Sequence, residues 1–209
     1  MTAVLDICRL APVIPVLIVD DANSAGPLAQ ALAAGGLKAL EVTLRTSAAL
    51  DAIRAMVDAA PDAVVGAGTL LTPLDVKEAA AAGAKFGVSP GFTDRLLDAA
   101  EDVGLPMLPG VATPGEAMRA LERGLDVLKF FPAEQNGGAP VLAAWASPLA
   151  RIRFCPTGGV SMANAPAYLA LPNVVCVGGS WVAPKDAVAA GDWGRIETLA
   201  RAAAALPRP

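Results

Sequence analysis

Apolar residues along this chain fall into eight short, nearly unbroken runs, each followed by a longer segment in which they recur at helical spacing. The runs are PVIPVLIV (12–19), ALEVTL (39–44), AVVGAGTL (63–70), AKFGVSP (84–90), MLPGVA (107–112), VLKFFP (127–132), IRFCPTGG (152–159) and NVVCVGGS (173–180). A run without polar alternation is the signature of a strand covered on both faces, as in a parallel sheet flanked by helices. Between two of the runs, residues 48–59 set Leu50, Ile53, Met56 and Val57 on one stripe and keep Asp51, Arg54 and Asp58 off it, the pattern of an amphipathic helix. Asn23 or Ser24, Ser47, Thr72, Thr93, Thr113 and Ser161 stand where helix N-caps are wanted. Gly35-Gly36, Gly83, Gly104 and Gly124 stand where helices need a left-handed closing residue.

Eight βα units without a linker predict an α/β fold, a single (β/α)8 TIM barrel over residues 1–209 with 1–10 as a short lead-in. A doubly wound open sheet uses the same alternation. It is disfavoured because no GxGxxG follows the first run and because evenly spaced units suit closure.

Composition narrows the functional classes. Hydrophobic residues make up 55% of the chain and charged ones 17%, enough for a large core and unlike a disordered chain. A net charge of −4, with no basic run, leaves nucleic-acid binding without an electrostatic footprint. Asp6 interrupts the apolar start that a signal peptide would need. The uncharged stretch 154–184 is long enough to raise the question of a membrane span. Its Pro156, Gly158, Gly159, Asn164, Pro166, Pro172 and Asn173 would leave backbone groups unpaired in lipid, so no membrane association is expected. Cys8, Cys155 and Cys176 are too far apart for a CxxC cluster and read as reduced packing residues of a cytoplasmic protein. The absence of histidine removes Ser-His-Asp triads, His-ligated zinc and imidazole chemistry, leaving proton transfer to Glu, Asp, Lys, Tyr or water.

Three charged residues break the apolar pattern. In a barrel, alternate strand residues point inward, which gives Glu41, Thr43 and Arg45 one parity on the second strand and Val127, Lys129 and Phe131 one parity on the sixth. A lysine beside apolar residues is ordinarily a snorkelling side chain at a strand edge. Lys129, however, sits mid-run between Leu128 and Phe130 with Pro132 close by, so burial should penalise its ammonium form and favour a nucleophilic amine. Glu41 is either a structural ion-pair partner of Lys129 or Arg45, or a general acid/base that lies close to the lysine without being locked to it. Arg45 lies about 13 Å further toward the C-terminal mouth at ~3.3 Å per residue, where a guanidinium suits a carboxylate, unless it is simply an exposed loop arginine. Thr69 brings a hydroxyl to the corresponding height on the third strand.

The last two runs end in PTGGV (156–160) and VGGSW (177–181). Paired glycines at strand-to-helix junctions let backbone N–H groups approach an anion, and phosphate sites of barrels commonly follow strands seven and eight. Gly158, Gly159 and Gly179, with the hydroxyl of Ser180, are therefore the candidate phosphate site.

The chain resembles the 2-keto-3-deoxy-6-phosphogluconate aldolase / 4-hydroxy-2-oxoglutarate aldolase family. The stretches that carry the resemblance are LEVTLRT (40–46), VGAGTLL (65–71), FGVSPGFT (86–93), LPGVATPGE (108–116), LKFFPAEQNGG (128–138), RFCPTGGVS (153–161) and VGGSWVAP (177–184), in order over roughly residues 10–200. The resemblance implies a homotrimeric, imine-forming barrel enzyme that needs no metal or other cofactor. It makes Lys129 the Schiff-base lysine, Glu41 the general acid/base, and Arg45 and Thr69 the holders of the keto-acid carboxylate. Pro90 and Phe131 would line the pocket, Thr157 would position substrate, and Gly158, Gly159 and Ser180 would bind the phosphate.

The implied reaction cleaves 2-keto-3-deoxy-6-phosphogluconate to pyruvate and glyceraldehyde 3-phosphate, with activity on 4-hydroxy-2-oxoglutarate as well. The alternatives are the galactonate-derived substrate, a phosphosugar isomerase or epimerase with Glu41 as base, and a phosphosugar-binding protein without turnover.

Overall fold

The computed structural model describes residues 3–208. It opens on helix α1 (Ala3–Cys8), followed by strand β1 (Val13–Leu17), α2 (Ala25–Ala34), β2 (Ala39–Thr43), α3 (Ala49–Ala59), β3 (Val64–Gly68) and α4 (Pro73–Ala81). Next come β4 (Gly87–Val88), α5 (Asp94–Asp102), β5 (Met107–Leu108), β6 (Gly110–Val111), α6 (Pro114–Glu122), β7 (Val127–Phe130) and α7 (Gly138–Trp145). The chain ends with β8 (Arg153–Pro156), α8 (Ala165–Leu169), β9 (Val177–Gly179), α9 (Lys185–Ala190) and α10 (Trp193–Ala204).

The result is an α/β fold with a curled parallel sheet of six strands, in the order β5-β4-β3-β2-β1-β9, and a parallel sheet of three, β6-β7-β8. The strands expected to close into one (β/α)8 barrel are thus divided between two sheets, the fifth of them in two parts. The fifth predicted strand is split at Pro109, which has no N–H to give, although its carbonyl still accepts from Lys129 N at 2.9 Å. Beyond β8, isolated bridges pair Phe154 with Val174 and Thr157 with Gly178, linking the small sheet to the segment that leads into β9.

Boundary chemistry explains several of the helix starts. Thr72, Thr93 and Thr113 are N-caps whose side chains accept backbone N–H groups, and Thr72 and Thr113 complete capping boxes with Asp75 and Glu116. Ser47 is not a cap, because α3 begins one residue later behind Ala48. Ser161 also fails as one; Asn164 holds its N–H and hydroxyl and stands at the start of α8. Gly36, Gly83, Gly104 and Gly124 all have positive φ, as closing residues should.

Inside the strands, Ile14, Ala39, Phe86, Val88, Leu108, Val127, Cys155 and Cys176 form an inner cluster that Val4 and Cys8 of α1 join. The segment read as a lead-in is therefore part of the core. Cysteines distant in sequence meet here, and all three are buried and free. Hydrogen bonds with Cys155 and Cys8, together with burial, push the Cys176 thiol well above its ordinary range. Above this cluster, β3 contributes bare glycine faces: a Cβ on Gly66 would meet the Phe86 ring at 2.5 Å, so the ring fills that space. Among the described residues no helix is long and apolar enough to cross a membrane.

Candidate active site

β7 is buried along its whole length, and its neighbours fix which way Lys129 points. Leu128 and Phe130 belong to the outer, helix-facing core, where the Phe130 ring meets Trp145 of α7 edge-on at 5.3 Å between centroids. Val127 and Lys129 take the opposite face, toward the interior, with Lys129 in register with Gly110 on β6 and Cys155 on β8. Lys129 is 4% exposed and Glu41 2%. Their Nζ and Oε1 atoms are 3.4 Å apart, longer than the ~2.7–2.9 Å of a tight charge-assisted bond. Nζ also lies 5.2 Å from the centre of the Phe131 ring. Lys129 thus has a buried carboxylate partner within reach.

Arg45 follows β2 by two residues, in a turn where its backbone N–H donates to Thr43 O at 2.8 Å. Its side chain is steered by a neighbouring strand end: Nε donates to Thr69 Oγ1 at 3.1 Å. Thr69 makes this contact from a left-handed backbone, φ +62, which a β-branched residue adopts at a cost. With Nε engaged, the terminal nitrogens form the fork suited to a carboxylate.

On the other side stand the turns after β8 and β9. Gly158 and Gly159 adopt φ +99 and +77 in succession, a backbone path that only glycine follows cheaply and that puts no Cβ between the chain and a ligand. Gly178 makes room for Thr157, whose Cγ2 would lie 2.9 Å from a Cβ there. Gly179 ends β9 and hands the chain to Ser180.

These groups converge. A cavity of about 150 Å³ is lined by Arg45, Lys129, Phe131, Thr157, Gly158, Gly159, Gly179 and Ser180. Glu41 is reached through Lys129 and Thr69 through Arg45. Pro90 is placed elsewhere, in a shallow neighbouring cavity beside Leu71 and Phe92. The sequence reading missed Val16 and Ile18, which line the same space from the first strand and just beyond it. They share the inward parity of Ile14, but an apolar residue on an apolar strand carries no chemical signal.

Known proteins similar to this chain in sequence and fold fall in one aldolase family. Residues 4–199 match the family model for KDPG and KHG aldolase. The chain is 51% identical to the KHG/KDPG aldolase of Escherichia coli K12, over 97% of this chain and 95% of that one. It is 50% identical to the 2-dehydro-3-deoxy-phosphogluconate aldolase of Dickeya dadantii, over 98% and 96%. The KDPG aldolase of Legionella pneumophila, solved with pyruvate captured at low pH as a covalent carbinolamine intermediate, matches with a TM-score of 0.94 at 43% identity over 98% and 99%. The Zymomonas mobilis ZM4 enzyme, solved with 3-phosphoglycerate, matches with a TM-score of 0.92 at 49% identity over 98% and 96%. With a family model spanning nearly all of it and relatives at half identity along its length, this chain belongs to the KDPG and KHG aldolase family.

Proposed function

We propose that this chain is a class I aldolase, a lyase that cleaves 2-keto-3-deoxy-6-phosphogluconate to pyruvate and glyceraldehyde 3-phosphate and also accepts 4-hydroxy-2-oxoglutarate. The observation that carries the reading is the buried Lys129 amine, 3.4 Å from Glu41, opening onto a cavity with Arg45 on one side and the glycine turns on the other.

The reaction follows from that placement. Glu41 takes a proton from the ammonium, and the freed amine attacks the C2 carbonyl to give a carbinolamine. Glu41 returns that proton to the carbinolamine hydroxyl, and loss of water leaves an iminium, which draws the electron pair of the C3–C4 bond as that bond breaks. The C4 hydroxyl gives its proton to Glu41, directly or through a water, and the aldehyde departs. The enamine is then protonated at C3, and hydrolysis of the imine releases pyruvate and restores Lys129. Arg45, held by Thr69, grips the keto-acid carboxylate, and Phe131 packs against the reacting carbons. Thr157 positions the chain between the two ends. Gly158, Gly159, Gly179 and Ser180 hold the distal phosphate, which favours phosphorylated substrates over the unphosphorylated one.

The iminium is itself the electron sink, so the reaction needs no metal or other cofactor. The two sheets, bridged beyond β8, support a single closed (β/α)8 barrel. The homotrimer is carried by the family resemblance, and exposed apolar side chains could serve it: Leu71 and Leu74 are more than 60% exposed and Met118 56%, with Leu71 beside Phe92. Free, buried cysteines suit the reducing cytoplasm.

The test is borohydride trapping in the presence of pyruvate, followed by peptide mass spectrometry. A reduced adduct on Lys129 is expected, with turnover abolished by Lys129→Met and unaffected by chelator. An adduct on another lysine, or metal-dependent turnover, overturns the mechanism. An active enzyme that forms no adduct points instead to isomerase or epimerase chemistry.

A further inference from the structure

The loop that follows β7 is stitched to the loop that follows β8. Ala133 N donates to Thr157 O at 2.8 Å, and Glu134 N donates to Gly158 O at 3.1 Å. The stem of Glu134 then lies directly against Gly159: a Cβ at that glycine would come within 2.6 Å of Glu134 Cγ and 2.7 Å of its Cβ. Glycine is thus required at 159 twice over, for its φ and for the side chain behind it.

The far end of Glu134 is also held. The hydroxyl of Tyr168, on α8, donates to Glu134 Oε1. Tyr168 is among the largest fully buried side chains, at 1% exposure. Burial, reinforced by the carboxylate it faces, pushes its hydroxyl above the ordinary range, so it stays protonated and remains the donor. Gly138, with φ +69, leaves space for both groups, since a Cβ there would sit 3.3 Å from the Tyr168 hydroxyl and 3.4 Å from Glu134 Oε1.

Neither residue lines the cavity that holds Lys129, yet a carboxylate beside a turn read as a phosphate site needs an explanation. Left to swing, it would repel an anion on Gly159, and the front of the turn would keep only its backbone bonds and the bond that Asn164 Nδ2 donates to Gly159 O at 3.1 Å. Anchored to a buried hydroxyl, the same side chain becomes a rigid back-stop for the turn. Its loop is also continuous with β7, and Glu134 stands only five residues beyond Lys129, so the anchor sets the distance between the amine and the distal anion.

We propose that Tyr168 and Glu134 are positioning residues for the phosphate end of the substrate, bracing the Gly158–Gly159 turn from behind and fixing it relative to the strand that carries Lys129. The inference rests on the reading of that turn as the phosphate site. It predicts a selective defect, because a substrate without a phosphate makes no use of the brace.

The experiment compares steady-state kinetics on 2-keto-3-deoxy-6-phosphogluconate and on 4-hydroxy-2-oxoglutarate, with inorganic phosphate as a competitive inhibitor. Tyr168→Phe keeps the ring and removes only the hydroxyl. It should raise both the KM for the phosphorylated substrate and the phosphate inhibition constant about tenfold, the modest end of what a lost bond to a charged group gives. Neither kcat nor the parameters for the unphosphorylated acid should change. Glu134→Ala, at an exposed position, should match it, and the double variant should be no worse than either single one. Glu134→Gln retains an acceptor for the hydroxyl and should behave like the wild type. Equal losses on both substrates, additive effects, or an unchanged phosphate constant overturn the brace. If Tyr168→Phe fails to fold, Glu134→Ala decides by the same criteria. A wild type indifferent to phosphate overturns the phosphate site itself, and the brace with it.

Discussion

Gly68 on β3 is the space that Glu41 on β2 occupies. A methyl group on Gly68 would lie 2.7 Å from Glu41 Cγ and 2.8 Å from Cδ, closer than real Cβ contacts come. The second glycine of the GAGT stretch is therefore part of the apparatus that presents the carboxylate to Lys129. Gly68→Ala should displace Glu41 and lower kcat by about a hundredfold, the scale of a lost general acid/base. Overpacking should cost only ~1–3 kcal/mol of stability, leaving a folded protein. A folded variant with wild-type kcat would show that the position of Glu41 is not critical.

That pairing marks where sequence reading reached and where it stopped. Lys129 and Glu41 were legible because a charge inside an apolar run has few structural explanations. Arg45 followed from parity, and the glycine turns from their place at strand ends. Val16 and Ile18 were not legible, since their contribution is shape. Nor was the bond between Glu134 and Tyr168, which joins residues 34 apart with no shared pattern. Thr72, Thr93 and Thr113 were readable as caps because each is followed by a first turn that supplies the matching N–H. The break at Pro109 was visible as a residue but not as a consequence, because whether a strand survives a missing N–H depends on its neighbours.

The capping box of α6 makes a prediction about acid stability. Glu116 Oε2 accepts the N–H groups of Ala112 at 2.7 Å and Thr113 at 2.9 Å. Partial burial opposes ionisation, but these bonds and that of the Thr113 side chain outweigh it and hold the carboxyl below its usual 4.5. Because the unfolded chain binds this proton more readily, the box's contribution is present above pH 4.5 and is lost as pH falls through the depressed folded value. Glu116→Gln should therefore give a shallower fall in Tm between about pH 5 and pH 3, at little cost to activity at neutral pH. Parallel curves for the two proteins would remove Glu116 from the account of acid unfolding.

The proposed homotrimer places its interface on Leu71, Leu74 and Met118, residues too apolar and too exposed to face water without cost. Leu74→Glu would set a charge on that face in every copy while leaving the Thr72–Asp75 cap intact. Sedimentation should show the wild type at three times the 21.0 kDa chain mass and the variant at lower mass. A wild type that sediments as a single chain, or a variant that stays assembled, would sink this placement.

Thr69 carries the remaining prediction, in which stability and function move in opposite directions. Among the described residues it is the one non-glycine with positive φ, at +62. For an L residue that region costs about 1–2 kcal/mol, and local strain of this kind is kept where the site requires it. Here it sets Oγ1 against Arg45 Nε at 3.1 Å, aiming the guanidinium that is to grip the keto-acid carboxylate. Thr69→Gly removes the strain and the hydroxyl together. Glycine's larger chain entropy, roughly 0.5–1 kcal/mol, offsets part of the relief, so Tm should hold or rise slightly. The KM for keto acid should meanwhile climb about tenfold, as a loosened guanidinium loses one charge-assisted bond. Thr69→Ser, which retains the hydroxyl, should stay near wild type in KM. If Thr69→Gly instead melts several degrees lower, or binds substrate as before, the strained threonine is not what aims Arg45.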